Sequence, residues 1–168
     1  SVAGRQRLRT GSRGAVRFII LLGVVSLFAD ATYESARSIL GPFLASLGAT
    51  GVMVGLIAGF GELLNNGLRV FFGYFADRTG RYWAITIIGF AINVASVPLL
   101  AFAGSPFVAA TLVFLERAGK AVRNPPRDAM LSSAAQQVGH GWCFGLQEAL
   151  GQVGAVAGPL LVAFGMSL

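Results

Sequence analysis

Charge is scarce in this chain. Asp, Glu, Lys and Arg make up only 12% of its 168 residues, against about 25% in an ordinary soluble domain. A solvated globule is therefore not expected. Cysteine is nearly absent: Cys143 stands alone, so no disulfide can close within the chain. Histidine occurs once, as His140, which excludes a multi-histidine metal site, and neither a metal nor a cofactor is expected. Acids are outnumbered 7 to 13 by Lys and Arg. The sequence pI near 10.7 does not imply nucleic-acid binding, because the Arg residues sit between apolar segments and form no single basic face. What is abundant is apolar. Hydrophobic residues reach 55%, with 23 Gly and no collagen-like period, and the mean hydropathy is +0.70. These figures suit a bundle of membrane helices, where Gly is frequent at close helix contacts. At roughly 20 residues per span, the chain has room for about five or six.

Polar punctuation divides the chain into a lead-in and five spans. Residues 1–16 are polar and basic, carrying Arg5, Arg7, Arg9 and Arg13, with Arg17 next, and read as a flexible tail. Apolar segments follow at about 17–46, 51–76, 82–103, 106–123 and 140–168. Gly and Pro clusters separate them: Gly48 to Gly51, Gly80 within 77–81, Gly104-Ser105-Pro106, and Asn124-Pro125-Pro126 at the start of a longer linker. That linker reads either as a short helix capped by Asn124 with Pro125 in its first turn, Asp128 near its start and Gly139 as its stop, or as an irregular loop. Lys and Arg outside the spans concentrate in the tail, the 77–81 turn and the 120–140 linker, while the turns at 47–51 and 104–106 carry no charge. The positive-inside rule places the N-terminus and the basic turns in the cytoplasm of a multi-pass protein of the cell's inner (plasma) membrane.

The few acids are concentrated. Asp30, Glu34, Glu62, Glu116 and Glu148, five of the seven, fall inside predicted spans. A charge at the bilayer centre costs about 2.5–3.5 kcal/mol on insertion scales, so five facing lipid would cost on the order of 15 kcal/mol. They must face protein or water, pair with cations, or carry protons. At 100° per residue, Asp30, Glu34 and Arg37 share about 60° of arc. Glu62, Asn66 and Arg69 do the same in the second span, as do Glu116, Lys120 and Arg123 in the fourth. The expectation is a polar pathway lined by Asp30, Glu34, Arg37, Glu62, Asn66, Arg69, Glu116 and Glu148, with acid and cation paired along each helix. Arg123, at the predicted end of its span, reads as a cytoplasmic anchor. Asp30 and Glu34 are the expected proton-coupling pair, because two carboxyls one turn apart compete for a single charge.

The 73–83 turn has its own logic. Gly73 permits close helix approach, Asp77 can cap the next helix or pair with Arg81, Gly80 allows a left-handed turn, and Arg78 and Arg81 pin the turn in the cytoplasm. The pattern Gly73-x-x-x-Asp77-Arg78-x-Gly80-Arg81, lying between spans two and three, resembles the signature loop of the major facilitator superfamily. Tyr82 departs from it, since the family usually has a second basic residue there. The stretch from Glu116 to Asp128 resembles the end of the fourth helix in a prokaryotic branch of the superfamily. Gly145, Gly154, Gly158 and Pro159 are similar to the antiporter motif of drug and proton exchangers, without its closing Gly-Gly, although Gly154 and Gly158 also suit plain helix packing.

The resemblance implies an all-α membrane protein: five transmembrane helices of a six-helix half-bundle, ending before a sixth helix. It implies a secondary active transporter working by alternating access, with proton-coupled efflux of a small-molecule substrate. The partners it implies are the substrate, protons, the lipid bilayer and a C-terminal half that is missing here. The loop at Gly73, Asp77, Arg78, Gly80 and Arg81 would gate the cytoplasmic side. An inactive truncated fragment or an accessory membrane subunit is the alternative. A membrane-embedded enzyme is not expected, because neither a Gly-x-Ser-Gly with an intramembrane His nor a Gly-x-Gly-Asp is present. The acids and aromatics of the spans would suit a cationic or amphipathic compound.

Overall fold

Five α-helices follow one another in the computed structural model, which describes residues 2–167, with side chains from residue 13 onward. They are α1 (Val2–Ser46), α2 (Gly51–Thr79), α3 (Tyr82–Leu100), α4 (Pro106–Ala135) and α5 (His140–Met166). No strand occurs among the described residues. The molecule is an all-α bundle in which α1, α2, α3 and α5 are long and apolar enough to cross a membrane. The tail differs from expectation: its backbone is helical from Val2 and continues into the first span. The side chains of Arg5, Arg7 and Arg9, and all of Leu168, lie outside the described residues.

The breaks fall where turn chemistry puts them. Gly48, at φ 91°, ends α1. The Thr50 hydroxyl accepts from the Met53 N–H at 3.3 Å and caps α2. Gly80, at φ 64°, closes α2 with its N–H donated to the Ala76 carbonyl, a conformation that costs glycine nothing. Ser105 caps α4, with Pro106 opening the helix.

The fourth helix overturns one expectation. It does not stop at residue 123 but runs through Pro125 and Pro126 to Ala135. Asn124 therefore caps nothing, and Pro125 lies inside a helix. Each proline removes an N–H and so frees the carbonyl four residues earlier, a loss that membrane helices tolerate where neighbours compensate. Gly73 of α2 packs beside Pro125, where an added β-carbon would lie 3.4 Å from Pro125 Cβ, an ordinary contact. Gly139 does act as a stop, at φ 100° with its N–H donated to the Ala135 carbonyl. At 30 residues and 1.5 Å per residue, α4 is about 45 Å long, longer than the ~30 Å hydrocarbon core. By composition it is the one helix of the five not apolar enough to cross a membrane, because its charges lie along its length.

Those charges are tolerable because α4 sits at the centre, packed on α3, α2, α1 and α5. The α3–α4 contact is tightest where two glycines face each other's helices. A β-carbon at Gly89 would lie 2.6 Å from the Arg123 nitrogen, and one at Gly119 2.6 Å from the Asn93 nitrogen. The α1–α5 pair uses the same device: a β-carbon at Gly154 would lie 2.5 Å from the Leu27 carbonyl oxygen, and one at Gly158 would collide with the Ala31 carbonyl. One apolar cluster (Leu44, Ile57, Leu100, Ala109, Val113) closes the end near the 47–51 turn. Two others close the opposite end, around Ile19, Leu131 and Cys143 and around Ala76, Ile85 and Val122. Between these ends lies a charged layer.

Candidate functional site

The charged layer is organised by α4. Helical spacing puts Glu116, Lys120, Arg123 and Arg127 on one stripe, with Arg117 and Asp128 beside it. Neighbouring helices supply the counter-charges. Arg123 Nη2 donates to Asp30 Oδ1 of α1 at 2.8 Å. The Arg123 side chain is fully buried and Asp30 is partly buried, at 0% and 22% exposed, and the guanidinium carbon stands 4.6 Å from the Phe90 ring centroid. Arg117 donates to Glu62 of α2. Arg69 of α2 reaches Asp128 at 3.4 Å, and Arg127 holds the same carboxylate at 2.9 Å. Arg127 also donates to the Ser26 hydroxyl of α1 at 3.2 Å.

Pairing thus runs between helices, not along them as the stripes predict. Asp30 goes to α4, Glu62 goes to α4, and Arg69 turns to Asp128. Among the described residues only Glu34 with Arg37, at 3.7 Å, and the adjacent Arg127 and Asp128 pair within one helix. The reason is geometric. A side chain on a central helix lies as close to its neighbours' faces as to its own next turn. Arg123 is consequently no surface anchor but the most deeply buried charge of the layer. Asn66 lies exposed on α2 with no hydrogen bond among the described residues. Glu148 is exposed on α5 and accepts from Gln152 at 2.8 Å, apart from the layer.

Several partners escaped the sequence reading. Asn93 of α3 donates to Glu116 Oε1 at 2.7 Å, deep between α3 and α4. Tyr33, 3% exposed, offers its ring to Lys120, whose Nζ lies 3.5 Å from the ring centroid. Arg117, Arg127 and Asp128 complete the set. The available signal was the run of charges continuing past residue 123 at intervals of three and four, which a helix unbroken by Pro125 would align.

The 73–83 turn keeps its glycine frame and changes its hydrogen bonds. Asp77 stays inside α2 and accepts from the Tyr82 hydroxyl at 3.2 Å. It neither caps α3, whose N-cap residue is Arg81 without a side-chain cap bond, nor pairs with Arg81 among the described residues. Arg78 donates to the Tyr74 hydroxyl at 3.0 Å. Tyr82, where a basic residue is usual in the resembling family, thus replaces an ion pair by a neutral donor. In α5, Gly154 and Gly158 pack on α1, Gly145 has open space beside it, and Pro159 lies within the helix.

The layer's exposed members restrict what can surround it. The Arg37, Arg69 and Glu62 side chains are 53%, 53% and 42% exposed, yet each lies well inside a helix that is apolar elsewhere. Charges at that depth face water or protein, because lipid would cost several kcal/mol for each. Other exposed positions are apolar, among them Leu56, Leu63, Val70, Phe107 and Leu161.

Several known proteins are similar to the chain in sequence. Over 149 residues the chain is 55% identical to an uncharacterized protein of Mycobacterium tuberculosis, a match covering 89% of this chain and 36% of that one. Over 157 residues it is 31% identical to an uncharacterized MFS-type transporter of Methanocaldococcus jannaschii, covering 93% and 39%. Over 119 residues it is 32% identical to the multidrug resistance protein MdtH of Cronobacter sakazakii, covering 71% and 29%. No family profile and no solved structure matches the chain. The chain spans 29–39% of the length of these relatives. Together with the apolar helices, these likenesses support a multi-pass membrane protein related to MFS-type transporters.

Proposed function

We propose that the chain is the N-terminal part of a secondary transporter of the major facilitator superfamily, a carrier and not an enzyme. It exports small solutes by alternating access, with protons as the coupling ion. On this reading it lies in the inner (plasma) membrane with its N-terminus in the cytoplasm, and a C-terminal half completes the cavity. The observation that carries the reading is the charged layer at mid-depth, partly exposed on the bundle surface, in a chain similar over most of its length to an MFS-type transporter. A structural bundle would bury such charges or omit them. A transport path needs them wet.

The geometry assigns different tasks to different contacts. The α1–α5 seam, closed by Gly154 and Gly158 on backbone, holds its two helices as one body. The α2–α4 contact adds to its apolar packing two ion pairs with a half-exposed member, Arg117–Glu62 and Arg69–Asp128, which can exchange partners with a passing charged solute. Asp77, Tyr82 and the left-handed Gly80 keep the α2–α3 turn in a fixed shape at the cytoplasmic end. The half-exposed Glu62 favours a cationic or amphipathic cargo.

The test is efflux by the complete gene product in proteoliposomes, with an imposed proton gradient and a panel of cationic and amphipathic dyes. The expected result is gradient-driven dye movement that Glu62→Gln reduces at least tenfold while expression and monodispersity stay unchanged. Equal dye movement with and without a gradient would rule out proton coupling. Absence of movement for every compound, in a host that gains no tolerance either, would overturn the export reading.

A further inference from the structure

Within the layer formed by residues 30–37, 62–69 and 116–128, every charged side chain has an ion-pair partner among the described residues except two, Glu116 and Lys120. They stand one turn apart on α4. Glu116 is 5% exposed and its carboxyl accepts only from the neutral Asn93 amide, at 2.7 Å. Either protonation state keeps that bond, because a carboxylic acid's carbonyl oxygen accepts it as well. No cation among the described residues lies within ion-pair distance. Arg117, its chain neighbour, is committed to Glu62, Arg123 to Asp30, and Arg37 to Glu34. α3 packs against Glu116 and presents Asn93. α1 presents Tyr33 and Arg37, which with Arg117 line a cavity of about 10 Å³ beside the carboxyl, room for one water molecule. Lys120 meanwhile rests on the Tyr33 ring, a seat that tolerates a cation without neutralising it.

From this arrangement we propose that Glu116 holds the coupling proton of the bundle as a neutral acid, and that Lys120 is the counter-charge that moves from Tyr33 to Glu116 when the proton leaves. The assignment rests on the transporter reading for its role and on the geometry alone for its chemistry. It moves the proton away from Asp30 and Glu34, the pair the sequence points to, because both of these already have a guanidinium partner. A buried carboxyl without a cation is costly as an anion and cheap as an acid. The step is a proton transfer only. The Glu116 O–H bond breaks, the proton passes to the cavity water, and the carboxylate left behind draws the Lys120 ammonium one turn along α4. Lys120 stays protonated, and its departure leaves the Tyr33 face and the neighbouring Asp30–Arg123 pair in a changed field. Proton release at the α3–α4 seam is thereby linked to the polar layer on the α1–α2 side.

Infrared difference spectroscopy of the complete protein in liposomes tests the assignment without any substrate. At neutral pH a carbonyl band of a protonated, hydrogen-bonded carboxyl is expected. It should vanish in Glu116→Gln and persist in Asp30→Asn and Glu34→Gln. Where Glu116→Gln does not fold, Asn93→Leu serves instead, since loss of the amide donor shifts the same band to higher wavenumber. Lys120→Met should raise the pH at which the band is lost, because the carboxylate then has no counter-charge to recruit. A band that survives Glu116→Gln, or that disappears in Glu34→Gln, overturns the assignment. A band that behaves as expected in a protein that transports nothing leaves the proton site standing and removes the transporter reading.

Discussion

The α1–α5 and α2–α4 contacts solve the same problem by opposite means. Both join helices that are distant in sequence and must stay together in a medium where apolar side chains gain little by meeting each other. Along α1–α5 the solution is the absence of side chains: Gly154 and Gly158 bring α5 onto the Leu27 and Ala31 carbonyls, and Gly23 makes room for Leu150 and Gln147. Gln147 adds a 2.7 Å bond to the Ile19 carbonyl. Along α2–α4, beside the apolar packing of Ile57 on Ala109 and Val113, the polar part of the contact is charge, in Arg117–Glu62 and Arg69–Asp128. Backbone contact is short-ranged and has one geometry. Ion pairs with exposed members are weaker and can swap partners. One contact is suited to stay shut and the other to open.

That contrast breaks first at Gly158. Gly158→Val puts branched carbon where the Ala31 carbonyl and the Ser35 hydroxyl already stand, and the helices must separate. Overpacking costs about 1–3 kcal/mol in a core that can yield. Here the obstacle is backbone, so the expected outcome is loss of monodisperse protein on size-exclusion chromatography. Gly154→Val should behave alike. Normal melting of either variant would show that the seam is not closed by backbone contact.

The next largest effect falls on the buried charge pair that joins the two regions. Arg123→Met leaves Asp30 without its partner, and breaking a buried pair costs about 3–5 kcal/mol. Arg123→Met combined with Asp30→Leu should recover much of that loss, because no uncompensated charge remains. Unfolding in mixed micelles measures the cycle. Additive losses would mean that the pair contributes nothing as a pair. By contrast, Arg69→Met on the half-exposed α2–α4 contact should change stability by about 1 kcal/mol or less. If it destabilises as much as Arg123→Met, the two contacts do not differ in kind.

How much of this could be read from the residues follows from what each feature depends on. Helix number, the turns at Gly48, Gly80 and Ser105, and the central position of Asp30, Glu62 and Glu116 depend on local pattern, and the sequence carries them. The route of the ion pairs does not. Asp30 pairs with Arg123, 93 positions away, and nothing local to either residue specifies that. The end of α4 is not legible locally, because Asn-Pro-Pro is ordinarily a breaker, whereas α4 runs through it to Ala135 at the centre of the bundle. Asn93 and Tyr33 look like filler until their helices are placed against α4. The Asp77 hydrogen bond to Tyr82 shows the same limit at short range: the residue that seems to weaken the turn's charge pattern is the one that satisfies its carboxylate. Tyr82→Phe removes that bond at an exposed position, so only a small loss is expected in the same unfolding assay. No loss would mean that water serves Asp77 equally well.

The smallest effect is the most discriminating for the α5 glycines. Gly145 lies in the glycine series that resembles an antiporter motif, but a β-carbon there would meet nothing within 4 Å, unlike one at Gly154 or Gly158. If the series exists for packing, Gly145 is a bystander. Gly145→Ala then removes unfolded-chain entropy inside a helix and should stabilise the protein, by about 0.4–1 kcal/mol. Proton-driven efflux should stay unchanged. If the series exists for coupling, the stability gain remains, since it comes from the unfolded chain, while gradient-driven efflux falls and downhill movement persists. Melting and transport measured on one preparation separate the two cases. The stability change reports the empty space beside Gly145, and the transport change reports whether that space is occupied during the cycle by something the isolated helices do not contain.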